Sequence, residues 1–298
     1  MTDAEFDRFR VYIYRAAGIH LAPAKKELLS GRLMRRMREL GIGSFYDYYH
    51  VLVHGDGTEP IHLLNAISTN ETHFFREVRH FDFLCERVFD RWVRRADAGR
   101  MPRRIRLWSA GCATGEEPYT LAMLAAERFP AADGWDVEIL ATDLSTRAID
   151  SARQAVWPVE KAEEIPDRYL KAYMLKGVGR HEGQMKAGME IRSLVRCARV
   201  NLNDEVYPVN GSFDVIFCRN VLIYFDQESK TRVVRRLLSH LGPLGYLVVG
   251  QVESLTALTD QVRSVGPTVY VRTGHGARRD GGRGARAGPF AAPAERAA

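Results

Sequence analysis

The run Leu107-Trp108-Ser109-Ala110-Gly111-Cys112-Ala113-Thr114-Gly115-Glu116-Glu117-Pro118-Tyr119 constrains the fold of this chain more than any other segment. Ile105–Ser109 is strand-like, a turn of small residues follows, and Pro118 is placed to open a helix reaching about Phe129. Such a turn lets a ligand lie close to backbone N–H groups at a helix start. Gly111 and Gly115 are separated by three residues, so the dinucleotide pattern Gly-x-Gly-x-x-Gly is absent. Glu116 and Glu117 would repel a pyrophosphate and suit a ligand that presents a cation or hydroxyl groups. An ordinary strand-to-helix turn is the competing reading, and the whole string makes it the weaker one.

The pattern around this segment is alternating. Strand candidates recur at Val137–Ala141, Phe213–Phe217, Tyr246–Gly250 and Thr268–Arg272, the last read as an edge strand. Between them, helices are predicted from Ser145 to Val156 and over Gln227–Leu241. This alternation predicts an α/β fold, a parallel sheet covered on both faces. The glycine-rich, charged segment of residues 167–199 breaks the rhythm and reads as an inserted antiparallel β hairpin. Residues 1–80 read instead as a small helical domain. There Phe6, Phe9, Ile13 and Ala16 recur at helical spacing before Gly18, and Pro23 opens a second helix with the stripe Leu29, Leu33, Met37 and Leu40, followed by Gly41. Ser44 with Asp47 suits the start of a third helix, and Thr58 with Pro60 a fourth ending near Ile67. The resulting organisation is 1–80 helical, 81–102 a linking helix, 103–272 the α/β domain, and 273–298 a disordered tail of Gly, Ala, Arg and Pro.

Composition bounds the alternatives. With 46% hydrophobic and 27% charged residues the chain is globular rather than disordered. Apolar runs such as Tyr246–Val249 fall far short of the ~18 residues a membrane helix needs, which predicts no membrane insertion. Asp3, Glu5, Asp7 and Arg8 leave no secretory signal at the start, so a cytoplasmic protein is expected. Cys85, Cys112, Cys197 and Cys218 are scattered without a Cys-x-x-Cys pair, which argues for reduced thiols and no metal site. Of the net charge of +6, half lies in the tail, where five arginines face Asp280 and Glu295. The excess is therefore weak evidence for nucleic acid as a partner.

Asp143 follows the second strand directly, where an α/β sheet places an acid to accept hydrogen bonds from ribose hydroxyls. Standing before Ser145, it could equally assist a helix cap. Together with the acidic turn it points to an adenosyl pocket, such as one for the ammonium and ribose of S-adenosylmethionine. Four separated motifs then make a resemblance specific: Ser68-Thr69-Asn70-Glu71-Thr72-His73-Phe74-Phe75-Arg76-Glu77, the Gly-Glu-Glu-Pro-Tyr turn, Asn201-Leu202, and Phe213 through Cys218-Arg219-Asn220 to Tyr224-Phe225. In family order, from about residue 5 to 272, the chain resembles the CheR-type chemoreceptor glutamate O-methyltransferases.

That resemblance implies a Rossmann-like class I methyltransferase domain and S-adenosylmethionine as cofactor, with S-adenosylhomocysteine as product. It implies cofactor binding by Asn70, Thr72, Arg76, Glu117, Asp143, Asn201, Leu202, Arg219 and Asn220; Glu71 stands where a small or apolar residue is often found. A glutamate side chain of pKa ~4.3 is ionised at neutral pH and attacks a sulfonium methyl without a general base. Arg76 and Tyr224 are accordingly expected as the catalytic, orienting residues. Arg32, Arg35, Arg36 and Arg38 on the second helix read either as a solvated face or, as the resemblance implies, as a surface for the acidic cytoplasmic helices of a chemoreceptor. The Gly-x-Gly of Lys176-Gly177-Val178-Gly179 suits a docking site for a receptor's C-terminal peptide, or else a variable surface hairpin. Two other classes compete. A nucleic-acid methyltransferase is disfavoured because Arg219-Asn220-Val221-Leu222 replaces an Asn/Asp-Pro-Pro-aromatic run. A non-catalytic receptor-binding module is disfavoured by the intact motifs.

Overall fold

Thr2 begins the first helix through its side chain: the hydroxyl accepts from the Glu5 amide while the Glu5 carboxylate accepts from the Thr2 amide, a capping box for α1 (Asp3–Ala17). Gly18, at φ 70°, ends it in the left-handed region. A 3-10 turn at Pro23–Lys25 leads into α2 (Lys26–Leu40), which Gly41 ends in the same way. α3 (Phe45–His54) is capped by Ser44, and α4 (Glu59–Ile67) carries Pro60 in its first turn. Phe9, Ile13, Leu33, Tyr48 and Leu63 form the centre of this all-helical unit. Leu40, expected on the α2 stripe, is 38% exposed because the helix ends beyond the reach of that core. The coordinates are a computed structural model describing residues 1–255, 258 and 260–273, so the tail from 274 onward lies outside the described residues.

α5 (Arg79–Phe83) passes through a π-helical segment, Leu84–Phe89, into α6 (Asp90–Asp97). This linking helix buries Phe81, Leu84, Val88, Phe89 and Trp92 in the same cluster as strand residues Leu107, Val215 and Phe217, so it is part of the sheet's core. The sheet contains β1 (Arg104–Ala110) and β2 (Asp136–Asp143), with α7 (Glu116–Arg128) between them and α8 (Thr146–Gln154) after. A separate three-stranded antiparallel sheet is built from β3 (Val156–Pro158), β4 (Met174–Lys176) and β5 (Gln184–Ala187), with α9 (Asp167–Tyr173) and α10 (Met189–Arg192). β6 (Val195–Arg199) and β7 (Phe213–Cys218) return to the main sheet, followed by α11 (Gln227–Ser239), β8 (Leu241–Val249), β9 (Val262–Gly266) and β10 (Val269–Arg272).

The main sheet runs β6-β2-β1-β7-β8-β10-β9. Its first five strands are parallel, while β10 is antiparallel to both β8 and β9. Three expectations change. β10 lies inside the sheet, because β9 pairs with it and takes the edge; β9 buries only its first residue and carries little strand signal. The inserted sheet recruits Val156–Pro158, and residues 195–199 belong to the main sheet through pairing with β2. α7 opens at Glu116 behind a left-handed Gly115, so Pro118 sits within its first turn. No described helix is long and apolar enough to cross a membrane.

The two parts are joined by hydrogen bonds. Tyr14 Oη donates to Asp226 Oδ2 at 2.8 Å, and Asn65 exchanges two bonds with Thr146 at the start of α8. Between α1 and α2 the chain forms a short antiparallel bridge, Ile19 with Phe225, and the His20 amide donates to the Tyr224 carbonyl.

Candidate functional site

The carboxyl ends of β1, β2 and β7 open into a cavity of about 410 Å³ whose far wall is the α1–α2 connection and the start of α2. Every residue expected to bind or orient lines it. Asn70, Thr72 and Arg76 come from the segment after α4, Glu117 from α7 and Asp143 from the end of β2. Asn201 and Leu202 follow β6, and Arg219, Asn220 and Tyr224 follow β7.

The glycine turn is held in left-handed conformations at Gly111 (φ 91°), Ala113 (φ 48°) and Gly115 (φ 103°). Asp143 fastens it: Oδ2 accepts from the Ala113 amide at 3.0 Å, while Oδ1 accepts from Ser145 at 2.9 Å. The acid therefore supports the α8 start, as the helix-cap reading expects, and it also lines the cavity, where the ribose reading would need it. A carboxylate has about four acceptor positions, which leaves capacity for ligand hydroxyls. Burial pushes its pKa up, and the amide bonds oppose that. Glu117 faces the same space, accepting from Ser109 Oγ at 2.7 Å, with Arg219 Nη1 at 3.3 Å. Burial raises its pKa too, against the pull of Arg219. Glu116 does not join it. That side chain turns inward, fully buried, with Lys161 Nζ 2.7 Å away, so one acid of the pair serves the cavity and the other the core.

Arg219 is 5% exposed and lies against the rings of Phe81 and Phe217. It donates to the Arg76 carbonyl and approaches Glu77 at 3.5 Å; Nη1 has the Glu117 carboxylate beside it without hydrogen-bond geometry, and Nε has no hydrogen-bond partner among the described residues. A buried donor without an acceptor is rare in folded proteins, and this guanidinium belongs to a residue lining the cavity. It fits a ligand carrying an acceptor group. Arg76 is itself steadied by a bond from Nη1 to the Glu71 carbonyl, 3.0 Å. Asn201 is more committed than its motif suggested. Its Nδ2 donates to the Ala16 carbonyl and to Asp204, and its Oδ1 accepts from the Asn203 amide, so it ties α1 to the sheet.

Sequence reasoning missed two acids behind the cavity, Glu77, partly buried, and Glu253, buried. Glu77 accepts from Asn220 Nδ2 and from the Gln251 amide, and His80 Nδ1 lies 3.4 Å away. It stood inside a quoted motif with no role attached. Glu253 accepts from three backbone amides, those of Asn220, Ile223 and Gly250. A lone acid in the loop after β8 carries no signal for such a role.

The basic helix divides in two. Arg36 grips Glu59 with Nε at 3.0 Å and Nη2 at 2.9 Å, and Tyr48 Oη joins the same carboxylate at 2.7 Å. Arg32 donates to the Ile67 carbonyl and to Thr69 Oγ1, steadying the segment that leads to Asn70. Arg35 and Arg38 point outward, the Arg35 side chain 79% exposed.

Five parallel strands with a cavity at their carboxyl ends, an acid closing the second strand and a buried arginine beside it fit the fold and site of an S-adenosylmethionine-dependent methyltransferase. Residues 70–271 match the family described as CheR methyltransferase, SAM binding domain, and residues 4–68 match CheR methyltransferase, all-alpha domain. The chain belongs to the CheR methyltransferase family, and its cofactor is S-adenosylmethionine. It is 39% identical over 269 residues to chemotaxis protein methyltransferase 2 of Pseudomonas aeruginosa, covering 90% of this chain and 93% of that one. Identity to the chemotaxis protein methyltransferase of Escherichia coli is 36% over 272 residues, 91% of each chain. With that of Borreliella burgdorferi it is 35% over 257 residues, 86% and 89% of the two chains.

Proposed function

We infer that this protein works in the cytoplasm as a protein-glutamate O-methyltransferase, esterifying glutamate side chains on bacterial chemoreceptors in sensory adaptation. The observation that carries this reading is the convergence of Asn70, Arg76, Glu117, Asp143, Arg219 and Tyr224, distant in sequence, on one cavity. When bound, S-adenosylmethionine supplies a methyl group on a positively charged sulfur. Asp143 and Glu117 offer acceptors to its hydroxyls and ammonium, and Arg219 offers donors to its carboxylate. Asn70 and Thr72 border the same space, as do Leu202 and Asn220.

The acceptor is a carboxylate with pKa ~4.3, already ionised, so no residue has to remove a proton. What the chain supplies is orientation, worth up to ~7–11 kcal/mol when oxygen, carbon and leaving group are held in line. Arg76 provides a forked donor for a carboxylate, and Tyr224 a hydroxyl at the cavity wall. Arg35 and Arg38 provide outward positive charge for an acidic receptor helix, while Arg32 and Arg36 are tied within the protein. A receptor's C-terminal peptide would add alongside β4, an outer strand of the small sheet, with Leu175 and Val178 exposed there.

The test is transfer of radiolabelled methyl from S-adenosylmethionine to receptor-containing membranes of the same bacterium. Label released by alkali as methanol is expected, because a glutamyl ester hydrolyses. Alkali-stable label, or no label on any receptor, rejects the reading.

A further inference from the structure

Glu253 is 1% exposed and has no arginine or lysine among its ion-pair partners in the described residues. Its charge is met by backbone amides. Oε2 accepts from Gly250 at 2.7 Å and from Asn220 at 2.9 Å, and Oε1 accepts from Ile223 at 3.2 Å. Both oxygens act as acceptors, so the ionised form fits and a carboxamide does not. Glycine is required at position 250, because a Cβ there would lie 2.8 Å from Glu253 Oε2 and 3.0 Å from the Asn220 amide.

The amides that Glu253 gathers belong to one short segment. Asn220 sits at φ 58°, in the left-handed region that asparagine adopts more readily than other non-glycine residues. Leu222–Tyr224 is a single 3-10 turn, and its last residue is Tyr224. Asn220 and Tyr224 both line the cavity, whereas Glu253 does not. From the other side the same turn is held by the His20 amide on the Tyr224 carbonyl.

We propose that Glu253 is a positioning residue: by clamping the Asn220, Ile223 and Gly250 amides it sets the left-handed bend at Asn220 and the turn that presents Tyr224 to the cavity. This rests on the reading of Asn220 and Tyr224 given above. Glu253→Gln keeps the shape but turns an N–H group toward an amide donor, so at least one of the three bonds is lost. The decisive measurement is S-adenosylhomocysteine affinity by calorimetry for E253Q, N220A and the double variant, with thermal melts confirming folding. E253Q is expected to weaken binding about tenfold, and the double variant to bind no more weakly than E253Q alone, because Asn220 is already displaced. Wild-type affinity in E253Q, or losses that multiply, overturn the proposal. Turnover separates the two readings. If Y224F is slow while E253Q turns over normally, the clamp fails; if Y224F turns over normally, the role of Tyr224 fails and the calorimetric criterion for Glu253 still stands. Should E253Q not fold, E253D, which retains the charge, is judged by the same two calorimetric criteria.

Discussion

At Gly111 the backbone is left-handed and a methyl group would lie 2.2 Å from Val221 Cγ2, so the turn tolerates no side chain. Gly111→Ala is expected to cost roughly 2–4 kcal/mol, from the φ penalty plus overpacking, measured by urea unfolding. Arg76→Ala should lower turnover roughly 10–100-fold, the loss of one hydrogen bond to a charged group, and Tyr224→Phe several-fold to about tenfold; methanol release measures both. His80 supplies a pH dependence. Burial, with Arg219 close by, pushes its pKa down to about 4 from 6.5, so it is neutral in the folded protein. The unfolded chain binds the extra proton, which means its contribution to stability is present above pH 6.5 and is lost as pH falls toward 4. Replacing His80 by Gln should flatten the stability–pH slope between pH 4 and 6.5, by up to about one proton, in denaturation curves taken across that range.

At the scale of elements, α2 mixes fixed and free charge, and single substitutions tell them apart. Arg36→Ala strands Glu59, which is 4% exposed, and should destabilise the protein by about 3–5 kcal/mol. Arg35→Ala and Arg38→Ala should shift stability by less than about 0.5 kcal/mol. They should nevertheless slow receptor methylation at low salt and flatten its salt dependence without altering cofactor affinity, as initial rates against sodium chloride would read. Which elements were legible in the sequence follows from how local their causes are. Ser44, Gly18 and Gly41 mark helix ends through bonds and φ values spanning a few residues, and the Thr2–Glu5 capping box, equally local, went unread. α8 ends on Ala155 at φ 54°, an alanine where glycine would have announced the stop, so the expected helix ran on to Val156, the first residue of β3. β9 and the sheet edge depend on pairing that no local pattern encodes. In the site, motif residues were legible as a set; that Glu116 turns inward while Glu117 faces the cavity depends on Lys161, some 45 positions further along.

For the whole molecule, the cavity belongs to both parts: Ala17–Ala22 and the start of α2 form one wall and the sheet the other. Saturating S-adenosylhomocysteine should therefore slow hydrogen exchange on both sides, at Ala17–Ala22 as well as at Gly111–Gly115. Protection confined to residues 70–271 would contradict this shared wall. At a hundredfold excess over Kd the ligand should add about 2.7 kcal/mol to stability, seen as a raised Tm. The bridge from Ile19 to Phe225 carries the wall's consequence further. The short strand-like stretch of Ile19 and His20 runs from the Tyr224–Phe225 segment toward the start of α2, so the cavity wall and the helix that bears Arg35 and Arg38 are one continuous stretch of chain. On the proposed receptor role of Arg35 and Arg38, a receptor held by α2 would press on the wall of the cofactor cavity, and its binding is then expected to slow the departure of S-adenosylhomocysteine.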